Sequence, residues 1–162
     1  MYNWLVFLHV AATLGFLLAH GASVSVAFAL RRERNPERMR AMLDVSDSAN
    51  RAMYICLLVL LLSGIVAGFM GRWWGSGWIW ASLLLLIAIV VAMAILGGNM
   101  YSEVRKAAGL PFRVQGKLQP SVQPGSPEEV EALLAKVNPH LLTLIGYGGI
   151  LVILWLMMFK PF

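Results

Sequence analysis

Two histidines inside the first long apolar stretch, residues 4–30, are the side chains best suited to chemistry. His9 and His20 are eleven positions apart. In an α-helix this spacing brings both imidazoles to about the same face, roughly 16 Å apart along the axis. Imidazole is costly to leave in hydrocarbon, and it is a ligand that haem iron and copper accept. This face is therefore predicted to point into a helical bundle and to hold the functional site.

Other apolar segments supply only neutral candidates. At 1.5 Å per residue along a helix, Met158 is expected near the height of His9, and Tyr147 comes close to His20. His140 is expected at the inner boundary of the last apolar segment. The predicted cofactor-binding residues are His9, His20, Tyr147 and Met158, and the predicted metal ligands are His9, His20 and His140.

Each of these residues also has an ordinary structural interpretation. His20 could only hydrogen-bond Tyr147, and His9 could only bond a carbonyl near the interface. For His140, capping the inner end of its helix is the favoured interpretation, since histidine is common in the headgroup region. For His9 and His20 the structural and functional interpretations are both kept.

The composition indicates an integral membrane protein. Of 162 residues, 59% are hydrophobic and 13% are charged, and the mean hydropathy is +0.73. Four runs, 4–30, 53–70, 78–96 and 141–159, are long enough to cross a hydrocarbon core, which takes about 20 residues. We predict one all-α domain over residues 1–162, an up-down-up-down bundle of four transmembrane helices in a lipid bilayer.

The spans and their flanks narrow the possible functions. None of the four runs contains a charged residue, which disfavours ion-coupled transport. The positive net charge of +5 comes mostly from loops 31–52 and 97–140, whereas only Arg72 and Lys160 lie on the other side. The positive-inside rule therefore predicts that both loops are cytoplasmic and both termini outside. Because the charge is explained by topology, no nucleic-acid partner is expected.

The loops carry signals for short helices. Asn35 and Pro36 predict the start of a helix that either lies along the membrane surface or runs directly into the second span. The third span can continue helically to Ala108. Residues 109–127 contain four prolines and predict an extended or mobile loop. A capping box at Ser126 then opens a short amphipathic helix, and the Asn138-Pro139 pair can start the fourth span.

Small and aromatic residues near the second span have mainly structural interpretations. Gly64 and Gly68 form a small-xxx-small pair, which lets a neighbouring helix approach closely. Trp73, Trp74 and Trp78 are most simply an interfacial belt. A surface on which a quinone or porphyrin stacks is the less favoured interpretation of the tryptophans.

The first helix resembles that of a known clan. Leu8-His9-Val10, followed by Gly15 and a basic loop, is similar to the first helix of small bacterial membrane proteins that include the copper-resistance-D-like proteins and the J-type protoporphyrinogen oxidase. Segments 15–21 and 68–74 resemble an uncharacterised group of integral membrane proteins in that clan. The resemblance implies a bacterial inner-membrane protein with a four-helix core in which His9 ligates haem b. The oxidase has a lysine in a later helix, whereas residues 78–83 here have none, which disfavours that activity.

The leading hypothesis is a haem b protein for electron transfer or haem handling, with His9 as the first ligand and His20 as a second ligand or part of a second site. Two alternatives stay open. One is a non-catalytic accessory subunit or homo-oligomer that packs through Gly64 and Gly68. The other is a copper-handling protein that uses histidine and methionine.

Overall fold

The computed structural model describes all residues, 1–162, and its main elements are long helices. In chain order these are α1 (Tyr2–Leu30), α2 (Pro36–Met70), α3 (Gly77–Met93), α4 (Asn99–Ala107), α5 (Pro127–Lys136), α6 (Pro139–Thr143) and α7 (Gly149–Phe159). Two π-helical segments, Ala94–Gly98 and Leu144–Gly148, join α3 to α4 and α6 to α7. A short 3₁₀ turn, Trp73–Gly75, precedes α3.

Four helical stretches are long and apolar enough to cross a membrane. They are Tyr2–Leu30, Pro36–Met70, Gly77–Ala107 and Pro139–Phe159, called the first to fourth spans below. The length and composition of these four helices confirm the prediction of a helical, multi-pass membrane chain. We call the end that holds the α1–α2 turn, α4 and α5 the basic end, and the end that holds Trp73 and Lys160 the aromatic end.

The second span settles one open alternative. α2 is a single helix of 35 residues, so the segment that begins at Asn35 runs directly into the apolar run. The Asn35 side chain caps it by accepting hydrogen bonds from the backbone N–H groups of Glu37 and Arg38, at 2.9 and 3.2 Å. At 1.5 Å per residue the helix is about 50 Å long, so its first turns extend beyond the hydrocarbon core.

The tightest hydrophobic core lies at the basic end, outside the apolar runs. Its most buried side chains are Leu30, Leu43 and Val104, which come from α1, α2 and α4. α5 adds Val130 and Leu134. The α5 helix is capped as predicted, because the Ser126 hydroxyl accepts a hydrogen bond from the Glu129 N–H at 3.2 Å. The charged loops therefore fold into a packed unit at this end.

Part of the loop predicted to be extended or mobile is an antiparallel hairpin. β1 (Phe112–Val114) pairs with β2 (Lys117–Gln119), and the turn residues Gln115 and Gly116 have φ values of 51° and 79°. Two successive positive φ values are the requirement of a type I′ turn. Glutamine at its first position is not the usual Asn-Gly signal, which is why the pattern was missed.

Arginines at the basic end hold this unit together. The Arg105 guanidinium is 13% exposed and donates to the Leu43 carbonyl at 2.8 Å, to the Pro111 carbonyl at 2.8 Å and to Asp44 Oδ1 at 3.0 Å. Arg40 Nε donates to the Ala108 carbonyl at 2.8 Å. These contacts tie α2 to α4, so some of the charge attributed to topology is also structural.

The four spans pack as two pairs. α1 lies along α2 over most of its length, and α3 lies along α7. The pairs come together at the basic end, where the Phe28 ring meets the His140 imidazole edge-on at 4.9 Å between centroids. Toward the aromatic end a cavity separates the two pairs.

Candidate functional site

His9 is held in one orientation by the neighbouring helix. Its Nδ1 lies 2.9 Å from the Leu60 carbonyl oxygen and 3.2 Å from Ser63 Oγ, both on α2. The Ser63 hydroxyl donates to the Val59 carbonyl at 2.7 Å, so toward His9 it accepts. The imidazole is thus fixed at Nδ1 by two acceptors from one helix turn.

This hydrogen bonding determines the tautomer of the neutral ring. A carbonyl oxygen can only accept, so His9 Nδ1 carries the proton. The lone pair of the neutral imidazole is then on Nε2, which makes no hydrogen bond within the chain. A backbone carbonyl on one ring nitrogen is the usual partner of a histidine whose other nitrogen binds a metal. His9 therefore has the tautomer and the hydrogen bonding of a metal-ligating histidine, with Nε2 as the donor atom.

Gly64 provides the space for the His9 ring. A Cβ at position 64 would lie 3.0 Å from His9 Cε1 and 3.3 Å from Nδ1. Gly68, one turn later, faces Ile79 and Trp74 instead, at 3.1 and 3.2 Å from a built Cβ. Both glycines of the small-xxx-small pair therefore make contacts within the chain: Gly64 contacts the His9 ring, and Gly68 contacts residues at the aromatic end.

Gly64→Ala is expected to displace the His9 imidazole, because the new methyl group is tighter against the ring than an ordinary van der Waals contact. We expect any spectrum that arises from a group bound at His9 to shift. Gly15→Ala is the matched control, because a Cβ there crowds Cys56 Sγ at 2.8 Å in the same helix pair, and neither residue contacts His9 or lines the aromatic-end cavity. Equal spectral effects of the two substitutions would contradict a specific role for Gly64.

His9 lines a cavity of about 430 Å³ between the two helix pairs. We call it the aromatic-end cavity; its lining includes His9, Phe16, Trp74, Trp78, Met157 and Lys160. The wall is mostly hydrophobic, and the volume lies in the range of sites for small ligands and cofactors. The cavity therefore combines an apolar interior with one oriented imidazole.

Polar donors lie at the aromatic end of this cavity. Trp74 Nε1 is buried and has no hydrogen-bond partner. The Lys160 ammonium lies 4.5 Å from the centroid of the Trp73 ring and 5.6 Å from that of Trp78. An unsatisfied N–H and an ammonium are both suited to an acidic group.

His20 occupies a different environment. It is 4% exposed, stacks on Phe16 at 6.0 Å between centroids, and meets the Tyr147 ring edge-on at 5.0 Å. Its Nε2 has no partner in the chain. A Cβ at Gly146 would overlap this ring, so the imidazole lies flush against the backbone of the fourth span. The expected contact between His20 and Tyr147 is present as ring packing, and no hydrogen bond joins them.

The remaining predicted residues lie away from His9. Met158 is 72% exposed and lines neither large cavity, whereas its neighbour Met157 lines the aromatic-end cavity. His140 is exposed and packs on Phe28 at the basic end. Among His, Cys, Asp and Glu side chains, no group of three could hold a metal ion. The structure therefore brings Met157, rather than Met158 or His140, to the same cavity as His9.

Sequence reasoning missed Ser63 at this site, chose Met158 in place of Met157, and interpreted Trp74 mainly as part of an interfacial belt. Ser63 follows the apolar run Leu57 to Leu62 and is part of no motif, although a serine on the helix opposite a buried histidine is a natural partner for it.

Comparison of the chain with protein-family models, with curated proteins and with solved structures found no match.

Proposed function

We propose that the chain is a haem b-binding membrane protein that acts in electron transfer or haem handling, with His9 as the residue that would hold the iron. The observation that supports this most is the His9 Nδ1 bond to the Leu60 carbonyl, which leaves the Nε2 lone pair free beside an apolar cavity.

The residues of the aromatic-end cavity fit the group. Haem needs an imidazole or thioether for its iron, apolar walls for its macrocycle and donors for its acidic side chains. His9 and Met157 supply an imidazole and a thioether for the iron. Phe16 and Trp78 belong to the apolar walls, and Lys160 is a cation on the cavity wall that suits an acidic side chain. Trp74 Nε1 adds an N–H that has no partner within the chain.

Each residue then has a definite task. His9 would hold the iron, Ser63 would keep the His9 ring in the Nδ1–H tautomer, and Met157 is the second iron donor that the cavity offers. Bound haem b supplies a one-electron redox centre. His20 has no part in this assignment, because its Nε2 is sealed against Gly146 and its ring does not line the cavity.

We further propose that the basic end faces the cytoplasm of a bacterial cell, with both termini outside the inner membrane. The asymmetry of Lys and Arg between the two ends supports this orientation. A phosphatase fused after Phe162 is expected to be active. Activity only of a cytoplasmic reporter at that position would contradict the orientation.

Titration with haemin tests the proposed function. Full-length chain in mild detergent is expected to give a saturable Soret band at one equivalent of haemin, and Ser63→Ala is expected to weaken the binding by about tenfold. A featureless, linear titration would contradict haem binding. Copper recovered with the purified chain in place of iron would favour copper handling.

A further inference from the structure

A second cavity, of about 360 Å³, opens at the basic end and extends to His20. We call it the basic-end cavity; its polar lining includes His20, Ser23, Asp47, Asn50, Arg51 and Arg113. Phe16, which stacks on His20, belongs to the wall of the aromatic-end cavity. This stacked pair therefore separates the two cavities, and His20 closes the inner end of the second.

The mouth of the basic-end cavity carries excess positive charge. The Asp47 carboxylate lies 3.4 Å from Arg51 Nε and 3.6 Å from an Arg113 guanidinium nitrogen. One carboxylate shared by two guanidinium groups leaves a net charge of +1. The Arg51 and Arg113 side chains are 63% and 45% exposed, and apart from one Arg51 hydrogen bond to Ser48 Oγ at 3.3 Å their remaining N–H groups are available. Arg105, also in the wall, is already bound to Asp44 and two carbonyls.

Behind this mouth the cavity has mostly apolar walls with a few polar groups between them. The Ser23 hydroxyl lies 2.9 Å from Asn50 Oδ1 and 3.3 Å from the Ser46 hydroxyl. His20, which is 4% exposed, forms the inner end of the cavity. The cavity therefore offers a ligand a few polar contacts between apolar walls.

The first π-helical segment borders this cavity, and the second begins next to it. Gly97 and Gly98 of the first segment line it, and so does Thr143, which directly precedes the second. π-helical turns occur frequently at functional sites because they interrupt the regular hydrogen-bond ladder. The π-helical segments are a second, independent observation that indicates a functional site at the basic-end cavity.

We propose that the basic-end cavity binds a ligand that carries a phosphate group, held by Arg51 and Arg113. Guanidinium groups match phosphate oxygens, and basic pockets between membrane helices bind lipid head groups. The cavity is much larger than a bare phosphate, so the rest of the ligand extends toward Asn50 and His20. A phospholipid head group and a soluble phosphate ester share this chemistry. The proposal does not depend on haem binding at His9.

Native mass spectrometry of the full-length chain tests it with two probes, phosphatidylglycerol and glycerol 3-phosphate. At least one is expected to bind saturably, and the one that binds identifies the source as membrane or solution. The double variant Arg51→Gln/Arg113→Gln should weaken this binding by about tenfold, the loss expected for charged hydrogen bonds.

The matched control is Arg34→Gln/Arg38→Gln, which removes the same charge from two exposed side chains at the same end, neither of which lines the cavity. It should change binding by less than about twofold. Equal losses in both double variants, or no saturable binding of either probe, would overturn the proposal. If the first double variant does not fold, Arg113→Gln alone serves, because its side chain pairs only with Asp47.

Discussion

His9→Ala is expected to abolish the haem absorption of the purified chain. The substitution removes the His9 imidazole from the aromatic-end cavity, and no other imidazole lines that cavity. His20→Ala is the control, since His20 lies behind Phe16 and against Gly146. An unchanged Soret band in His9→Ala, or its loss only in His20→Ala, would contradict the assignment.

A rescue experiment separates loss of the ligand from loss of the fold. His9→Gly leaves a space beside Leu60 and Ser63 in which free imidazole can take the place of the side chain. Addition of imidazole is expected to restore the Soret band in this variant. If the His9→Gly chain stays folded but imidazole restores nothing, His9 is not the ligand.

Gly146→Ala is expected to destabilise the chain by about 1–2 kcal/mol. The new methyl group would overlap the His20 imidazole, and overpacking costs about 1–3 kcal/mol, partly offset by up to about 1 kcal/mol from better helix propensity. The free energy of unfolding can be measured by denaturation in mixed micelles.

Gly148→Ala is the matched control, because a Cβ there meets only Leu144 at an ordinary 3.7 Å. It should be neutral or slightly stabilising. In a His20→Ala background, Gly146→Ala should cost much less, since the ring that the methyl group overlaps is gone. Equal effects at both glycines, or the same cost of Gly146→Ala in both backgrounds, would contradict the close packing of His20 on Gly146.

The sequence predicted the features that depend on local patterns. Apolar length predicted the four spans, because roughly 20 residues must cross the hydrocarbon core. Side-chain caps at Asn35, Ser126 and Asn138 predicted the starts of three helices, and all three accept the expected backbone hydrogen bonds. The inward direction of His9 followed from the cost of a lipid-exposed imidazole.

The rotation of the fourth span could not be predicted in this way. Beyond Tyr147 this helix is apolar on all sides, so no polar stripe fixes which face points inward. The residues predicted on this span included His140 and Met158, but the structure leaves both exposed and places Met157 in the wall of the cavity. Neighbouring residues of a helix differ by about 100° in direction, so a one-residue difference places Met157 rather than Met158 in the cavity wall.

Contacts between residues far apart in the chain could not be predicted from the sequence either. The Leu60 carbonyl that fixes His9 is 51 residues away, and every residue has such a carbonyl. The basic-end cavity needs α2, the hairpin and the third and fourth spans together. Its arginines were assigned to topology, because a charge count cannot show that Arg51 and Arg113 share one carboxylate.

The most direct test of the central claim is the absorption spectrum of the full-length chain purified from membranes in mild detergent, with iron and porphyrin measured in the same sample. We predict a b-type spectrum with one haem per chain, lost in His9→Ala. The claim would be contradicted by a colourless preparation that contains neither iron nor porphyrin and that shows no Soret band after haemin is added.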